Sequence, residues 1–247
     1  MSILDNVIPV SEIQEGKFVV VYGRSGSGKT WFGASFPKPM LYLKIGDDGA
    51  NTIKNVEEIY VKEINKVSEL KQALEECLQD KKYESVFVDT FSLLVNEWKN
   101  ENIIKKNKKM TQQAWGDLLT ETEECVRLAH KLSLKKWVIL SCHEVTDSID
   151  GMEDELLPDV RASVSKGART YLEGMANYGI HMVKIQKEVD NPKTGEPETR
   201  VRFSADIGPN PYYWTKLQVD PKTKVPKRII NPTFGKLMKV VKPEENK

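Results

Sequence analysis

Short apolar runs separated by amphipathic stretches alternate along most of the chain. Phe18-Val19-Val20-Val21-Tyr22, Met40-Leu41-Tyr42-Leu43-Lys44-Ile45, Ser85-Val86-Phe87-Val88-Asp89-Thr90 and Trp137-Val138-Ile139-Leu140-Ser141-Cys142 have the length and the β-branched or aromatic content of strands covered on both faces. Val56 to Val61 is expected to add a further short strand. Between these runs the apolar spacing changes to that of a helix. Trp31 to Ala34 opens one that Pro37 and Pro39 end. Ser68 is expected to cap a second, which turns Leu70, Ala73, Leu74, Cys77 and Leu78 to one side. Phe91, Leu94, Val95 and Trp98 mark a third, and Trp115, Leu118, Leu119, Thr122, Cys125, Val126, Ala129 and Leu132 a long fourth.

The pattern loosens in two places. Glu101 to Met110 is predicted to be an exposed connection, and Val145 to Asp159 a polar, turn-rich segment. Val164 to Ala176 is again helical in spacing. Ile180 to Val189 and Thr199 to Ser204 alternate as two antiparallel strands, with Asn191-Pro192-Lys193-Thr194-Gly195 as their turn, and are expected to extend the sheet at one edge. A strand over Tyr212 to Val219 and a short helix after Pro232, using Phe234, Leu237, Met238 and Val241, complete the reading. The predicted fold class is α/β: a mostly parallel sheet flanked by helices, with an antiparallel extension on the C-terminal side. The whole of 1–247 is taken as a single domain, its core at about 16–219 and a tail at 220–247.

Composition narrows the class. Basic residues number 37 and acidic residues 36, so net charge points to no partner and any nucleic-acid surface must be a local patch. Cys77, Cys125 and Cys142 have neither disulfide-frame nor zinc-site spacing and are expected to be reduced, buried thiols. Met1 to Gln14 lacks the basic start and apolar centre of a leader, and no run approaches a membrane span. A soluble, cytoplasmic protein with no membrane partner is expected.

The strongest local signal is Gly23-Arg24-Ser25-Gly26-Ser27-Gly28-Lys29-Thr30, which fits the phosphate-loop pattern G-x-x-x-x-G-K-[ST] at every position. Glycines allow successive backbone N–H groups to point inward at an anion. Lys29 is expected to reach the β- and γ-phosphates, Thr30 to put its hydroxyl on Mg²⁺, and the following helix N-terminus to add partial positive charge. The predicted ligands are therefore ATP and Mg²⁺. Asp89, ending an apolar strand, fits the acid that holds Mg²⁺ through its water shell, with Thr90 and Ser92 as further oxygen ligands or as helix caps. Asp47 and Asp48 in the turn after Ile45 are the remaining carboxylates for orienting an attacking water, Asp47 first; the other reading makes both turn residues. His143 is placed to sense a γ-phosphate or to serve as a structural strand-end residue. Lys105, Lys106, Lys108 and Lys109, and separately Arg161, Lys166 and Arg169, are candidates for nucleic-acid phosphate contacts or for solvated surface.

Gly23 to Thr30, the acidic turn, Phe87-Val88-Asp89-Thr90, Gln113-Ala114-Trp115-Gly116 and Ile139-Leu140-Ser141-Cys142-His143-Glu144 together resemble the phage nucleotide-binding proteins of the AAA/RecA-like P-loop ATPase class, some of which are minimal RecA-like single-strand annealing ATPases. The resemblance implies a RecA-like core in which the Asp89 strand is not the direct neighbour of the phosphate-loop strand. It also implies Asp47 as the catalytic acid, ATP as ligand, a role on single-stranded DNA in phage recombination or replication, and the host cell cytoplasm as location. A homo-oligomer and a single-strand-binding protein are the partners it suggests. Two departures stand out: Asn177-Tyr178 replaces an expected Asp, and Lys216-Leu217-Gln218 replaces a Lys-x-Arg element, leaving Lys216 or Arg228 for a cation reaching a neighbouring subunit. A small-molecule or nucleotide kinase and a nucleotide-gated assembly factor without hydrolysis remain the competing classes.

Overall fold

The computed structural model describes residues 7–9, 12, 13, 15–46, 49–150, 156–190 and 197–243 of the 247-residue chain. The continuous apolar runs become β1 (Phe18–Tyr22), β2 (Met40–Lys44), β4 (Ser85–Asp89) and β5 (Trp137–Cys142). Every residue of β1 and β4 is buried, because helices cover both faces of the sheet. The short α1 (Lys29–Gly33) follows β1. Edge strand β3 (Ile59–Glu63) and helix α2 (Val67–Gln79) precede β4; α3 (Leu94–Lys99) and the long α4 (Gln112–Ser133) follow it. Beyond β5 come β6 (Glu144–Asp150), β7 (Leu156–Ala162), α5 (Lys166–Met175), β8 (Tyr178–Asp190), β9 (Pro197–Asp206), β10 (Lys216–Leu217), β11 (Arg228–Ile230) and α6 (Phe234–Val241).

The main sheet runs β11-β9-β8-β1-β5-β4-β2-β3, with β10 on β8. From β8 to β3 every pairing is parallel, and β9, β10 and β11 join antiparallel. The predicted α/β class holds, as does the separation of the phosphate-loop strand from the Asp89 strand: β5 lies between β1 and β4. Alternate residues of β1 serve two cores. Phe18, Val20 and Tyr22 belong to the core that Leu74 of α2, Val126 of α4 and Leu172 of α5 also enter; Val19 and Val21 belong to the core on the other face, with Phe32, Phe36 and Leu237 and Val241 of α6. Parallel alignment places the ends of β1, β4 and β5 on one edge of the sheet, where ligands of open α/β sheets bind.

Several expectations are corrected. Within 145–159 the described residues are strand and not turns: β6 and β7 form an antiparallel pair in which Val145 faces Arg161 and Asp147 faces Asp159, and 151–155 lie outside the described residues. Thr146, Asp147 and Ser148 are three consecutive polar residues, so β6 carries no apolar–polar alternation and its only local strand signal is the β-branched content of Val145, Thr146 and Ile149. The strand expected at Val56 starts at Ile59 and runs to Glu63, since an edge strand needs little apolar content to pair along one side. Helix α2 begins at Val67, ahead of Ser68, with Lys66 at its cap and no side-chain capping bond; Val67 is buried and Glu69 Oε2 accepts the Asn65 N–H at 2.9 Å, which sets the start. Glu101 to Ile104 continue α3 as a π-helical turn, so the exposed connection starts only at Lys105. The strand expected over Tyr212–Val219 shrinks to Lys216–Leu217 and one bridge from Val160 to Tyr213. Trp214 instead covers Gly179, where any Cβ would stand 2.5 Å from the indole. The turn at 191–195 lies outside the described residues. All three cysteines are buried and unpaired, and burial pushes Cys125 and Cys142 up to about 12.

Candidate functional site

The phosphate-loop pattern leaves the end of β1 and turns through Gly23, Gly26 and Gly28 at φ of 156°, 72° and 90°. Helix α1 ends after five residues, because Gly33 packs directly on Phe87 and prolines follow. The helix terminus expected to reinforce a phosphate site is therefore short, which leaves that role to the amides of the loop. Lys29 is only 7% exposed, and its Nζ donates to the carbonyl oxygens of Gly23 and Arg24, both at 2.9 Å. A cavity of about 470 Å³ is lined by Ser25, Gly26, Gly28, Lys29 and Thr30 of the loop together with Asp89, Thr90 and His143.

Asp89 is 4% exposed and receives four hydroxyls. Thr30 Oγ1 and Tyr42 Oη donate to Oδ2 at 2.7 and 2.9 Å; Thr90 Oγ1 donates to Oδ1 at 3.0 Å and Ser141 Oγ donates to the same oxygen. These bonds occupy the acceptor positions of a carboxylate without neutralising its charge. Gly49 seals the corner: a Cβ there would stand 2.9 Å from Thr30 Oγ1 and 3.1 Å from Asp89 Oδ2. An all-oxygen donor set with a retained negative charge and space kept by a glycine suits a hard divalent cation shared with phosphates. Among the described residues no group of three His, Cys, Asp or Glu side chains forms a self-sufficient metal cage.

Of the residues singled out in the sequence, Lys29, Thr30, Asp89 and His143 converge on one cavity. His143 is half-buried; its N–H donates to Ser92 Oγ at 3.0 Å and its Nδ1 lies 3.4 Å from the same oxygen. Asp47 and Asp48 lie outside the described residues. Arg24 turns away from the cavity: its Nε donates to Glu144 Oε1 at 2.9 Å. Glu144 Oε2 accepts in turn from His181 Nε2 at 2.9 Å, and His181 Nδ1 faces Asp206 Oδ2 at 3.6 Å, with Arg228 Nε 3.0 Å from Asp206 Oδ1. Burial works to raise Glu144, but hydrogen bonds from His181 and Arg24 outweigh it and hold the carboxyl below the ordinary range.

The two basic groups differ. Lys105, Lys106, Lys108 and Lys109 are all exposed; Trp115, at the start of α4, is itself 47% exposed and carries Lys99 Nζ 4.7 Å from its ring centroid. Arg161 pairs with Asp159 at 2.5 Å and Glu173 at 3.4 Å, and Arg169 with Asp147 at 2.5 Å, so only Lys166 of that trio is solvent-exposed. Lys216 Nζ donates to the carbonyls of Glu173 and Gly174 at the end of α5, and Arg228 is held by Asp206, so both cations considered for a neighbouring subunit make contacts within the chain. Sequence reasoning missed Tyr42, Ser141, Gly49, Glu144 and His181. Ser141 alone left a trace, as a polar residue in an otherwise apolar strand next to the His143 end.

No helix among the described residues is long and apolar enough to cross a membrane. A search of curated proteins finds no match. A family model described as an AAA domain matches residues 15–208, from just ahead of β1 to just past β9. That match takes in the phosphate-loop pattern, Asp89 and the parallel strands and covers most of the chain, which therefore belongs to the AAA domain family.

Proposed function

We propose that this AAA domain, read as one unit over the whole chain, binds ATP with Mg²⁺, hydrolyses it and couples the cycle to single-stranded DNA. The observation that carries the first part is the convergence of Lys29, Thr30 and Asp89 on one cavity. Loop amides from Gly23 to Thr30 grip the phosphates. Lys29 exchanges its two carbonyl acceptors for phosphate oxygens, and such charge-assisted bonds are the stronger partners. Thr30 and Asp89 are the residues that would hold Mg²⁺, which supplies offsetting charge for the terminal phosphates. Tyr42, Thr90 and Ser141 keep the Asp89 carboxylate oriented. His143 lies where the terminal phosphate would be felt, and Asp47 takes the role of orienting the attacking water.

The DNA reading draws on the exposed lysines from 105 to 109 and the exposed Trp115: a basic surface with an aromatic platform is how single strands are held without sequence preference. Lys166 adds a charge on α5, while Arg161 and Arg169 would have to leave their carboxylates to take part. Action in phage recombination, a homo-oligomeric state and cooperation with a single-strand-binding protein follow from the resemblance to RecA-like annealing ATPases. ATP turnover measured with and without single-stranded DNA tests the whole reading. Stimulation by DNA supports it, turnover blind to DNA removes the coupling, and transfer of the phosphoryl group to a small molecule replaces it with a kinase.

A further inference from the structure

Of the two hydroxyl-bearing residues that follow Asp89, Thr90 lines the phosphate cavity and Ser92 does not. The Ser92 hydroxyl is turned to His143, the residue between β5 and β6. Ser92 is the middle residue of a one-turn 3-10 helix, Phe91–Leu93, which the Leu93 N–H closes by donating to Thr90 O at 3.0 Å. Neither this turn nor α3 after it starts with a side-chain capping bond, so Ser92 is not spent as a cap. His143 is held at both ends of its backbone: its N–H donates to Ser92 Oγ at 3.0 Å, and its carbonyl accepts the Ser163 N–H at 2.7 Å. The imidazole that lines the cavity therefore stands on a fixed frame, and Ser92 is the part of that frame with a proton to give.

Counting hydrogens fixes the ring. A serine hydroxyl has one hydrogen to donate and two lone pairs to accept with. One lone pair of Ser92 Oγ takes the His143 N–H, and among the described residues the acceptor that its hydrogen meets is His143 Nδ1, 3.4 Å away. That separation is long, as the polar contacts of a site often are before its ligand arrives. An imidazole that accepts at Nδ1 is neutral and carries its hydrogen on Nε2. Which nitrogen holds the hydrogen decides the sign of the interaction with an anion: Nε2–H attracts a phosphate oxygen, whereas a bare Nε2 lone pair repels it.

We infer that Ser92 is a positioning residue: its hydroxyl holds His143 Nδ1 as an acceptor, so that a neutral imidazole offers Nε2–H to the terminal phosphate and the site tells ATP from ADP. The inference rests on the phosphate-binding reading above and on the place given there to His143. With Nδ1 against the turn after β4, Nε2 is on the side of the ring away from that turn, and His143 is one of the residues lining the cavity. The terminal phosphate is the group by which the two nucleotides differ, and a hydrogen bond to a charged oxygen is worth about tenfold or more in affinity. Ser92 acts only through His143, and it does so by setting a tautomer and an orientation together.

Long-range proton–nitrogen correlation spectra of the intact chain without nucleotide, at about pH 8 where an ordinary histidine is neutral, read the tautomer of each of the three imidazoles; the signal missing from His143→Gln identifies the one in question. The hydrogen is expected on Nε2 in the wild type and in Ser92→Thr, which keeps the hydroxyl, and spread over both nitrogens in Ser92→Ala. Calorimetry with a non-hydrolysable ATP analogue and with ADP, each with Mg²⁺, reads the consequence. Ser92→Ala is expected to lower the preference for the analogue over ADP about tenfold, with ADP affinity unchanged and the preference restored in Ser92→Thr. A wild-type hydrogen on Nδ1, or a Ser92→Ala variant that keeps the wild-type tautomer or preference, overturns the inference and leaves the phosphate reading standing. So does an equal loss of analogue and ADP affinity, the mark of a residue that only supports the fold. Failure of the wild type to bind either nucleotide overturns the phosphate reading, and the discrimination with it.

Discussion

Two carboxylates, Asp89 buried and Glu144 half-buried, flank the phosphate loop and are stabilised in opposite ways. Asp89 is surrounded by hydroxyls from Thr30, Tyr42, Thr90 and Ser141, so its lone pairs are satisfied while its charge remains. Glu144 is paired with Arg24 and His181, in a chain that runs on through Asp206 to Arg228. Desolvating an anion is costly, and at the second site Arg24 offsets the charge directly. The difference separates a carboxylate bonded to neutral hydroxyls from one bonded to a cation and an imidazole. On the function proposed above Asp89 would keep its charge for an incoming cation, whereas Glu144 ties the loop residue Arg24 to β6 and, through His181, to β8.

Breaking the cation side of the first site should have the largest effect. Lys29→Ala is expected to lower ATP affinity about a hundredfold, since the charge-assisted bonds it removes are worth about 3 kcal/mol, with the melting temperature little changed. Unaltered ATP binding in that variant would remove the phosphate assignment. Asp89→Asn sharpens the contrast directly: it keeps the size and takes away the charge. Turnover at low Mg²⁺ should fall by about ten- to a hundredfold and partly recover as Mg²⁺ is raised, while nucleotide binding without metal stays as it was. A variant as active as the wild type at low Mg²⁺ would sink the assignment.

Glu144→Gln should do the reverse, leaving chemistry largely intact and costing about 1–3 kcal/mol of stability through the weakened His181 and Arg24 bonds, read as a lower denaturation midpoint. The same carboxyl gives a pH signature. Its folded pKa lies below the ordinary 4.5, so its contribution is complete above that value and fades as pH falls through the folded one. Melting temperature in the wild type should therefore drop more steeply below about pH 4.5 than in Glu144→Gln, and parallel acid limbs would contradict the pairing. The smallest effect belongs to the surface. Replacing Lys105, Lys106, Lys108 and Lys109 by Gln should flatten the salt dependence of single-strand binding by about 0.7 log unit for each phosphate these lysines neutralise, without altering ATP affinity. An identical slope would return that connection to solvated surface.

The phosphate-loop pattern, the strand ending in Asp89 and the parallel half of the sheet were legible in the sequence, for one reason. Each is carried by contiguous residues: a glycine pattern, an apolar run, a helical spacing. Legibility fails where a strand lacks such a local pattern, as in 145–150, where three successive polar residues leave β6 to be set by its pairing with β7.

What only the tertiary structure decided is which distant residues share a corner. Strand register brings Tyr42 of β2 and Ser141 of β5 to the two oxygens of Asp89 on β4, and sets Glu144, the first residue of β6, against His181 of β8. Phe203 meets Gly28 only because β9 lies on β8, which lies on β1. Side-chain type along the chain encodes what a residue contributes when it arrives. The pairing of strands far apart in sequence settles what it meets, because a one-residue slip would turn each of these groups to the opposite face of the sheet.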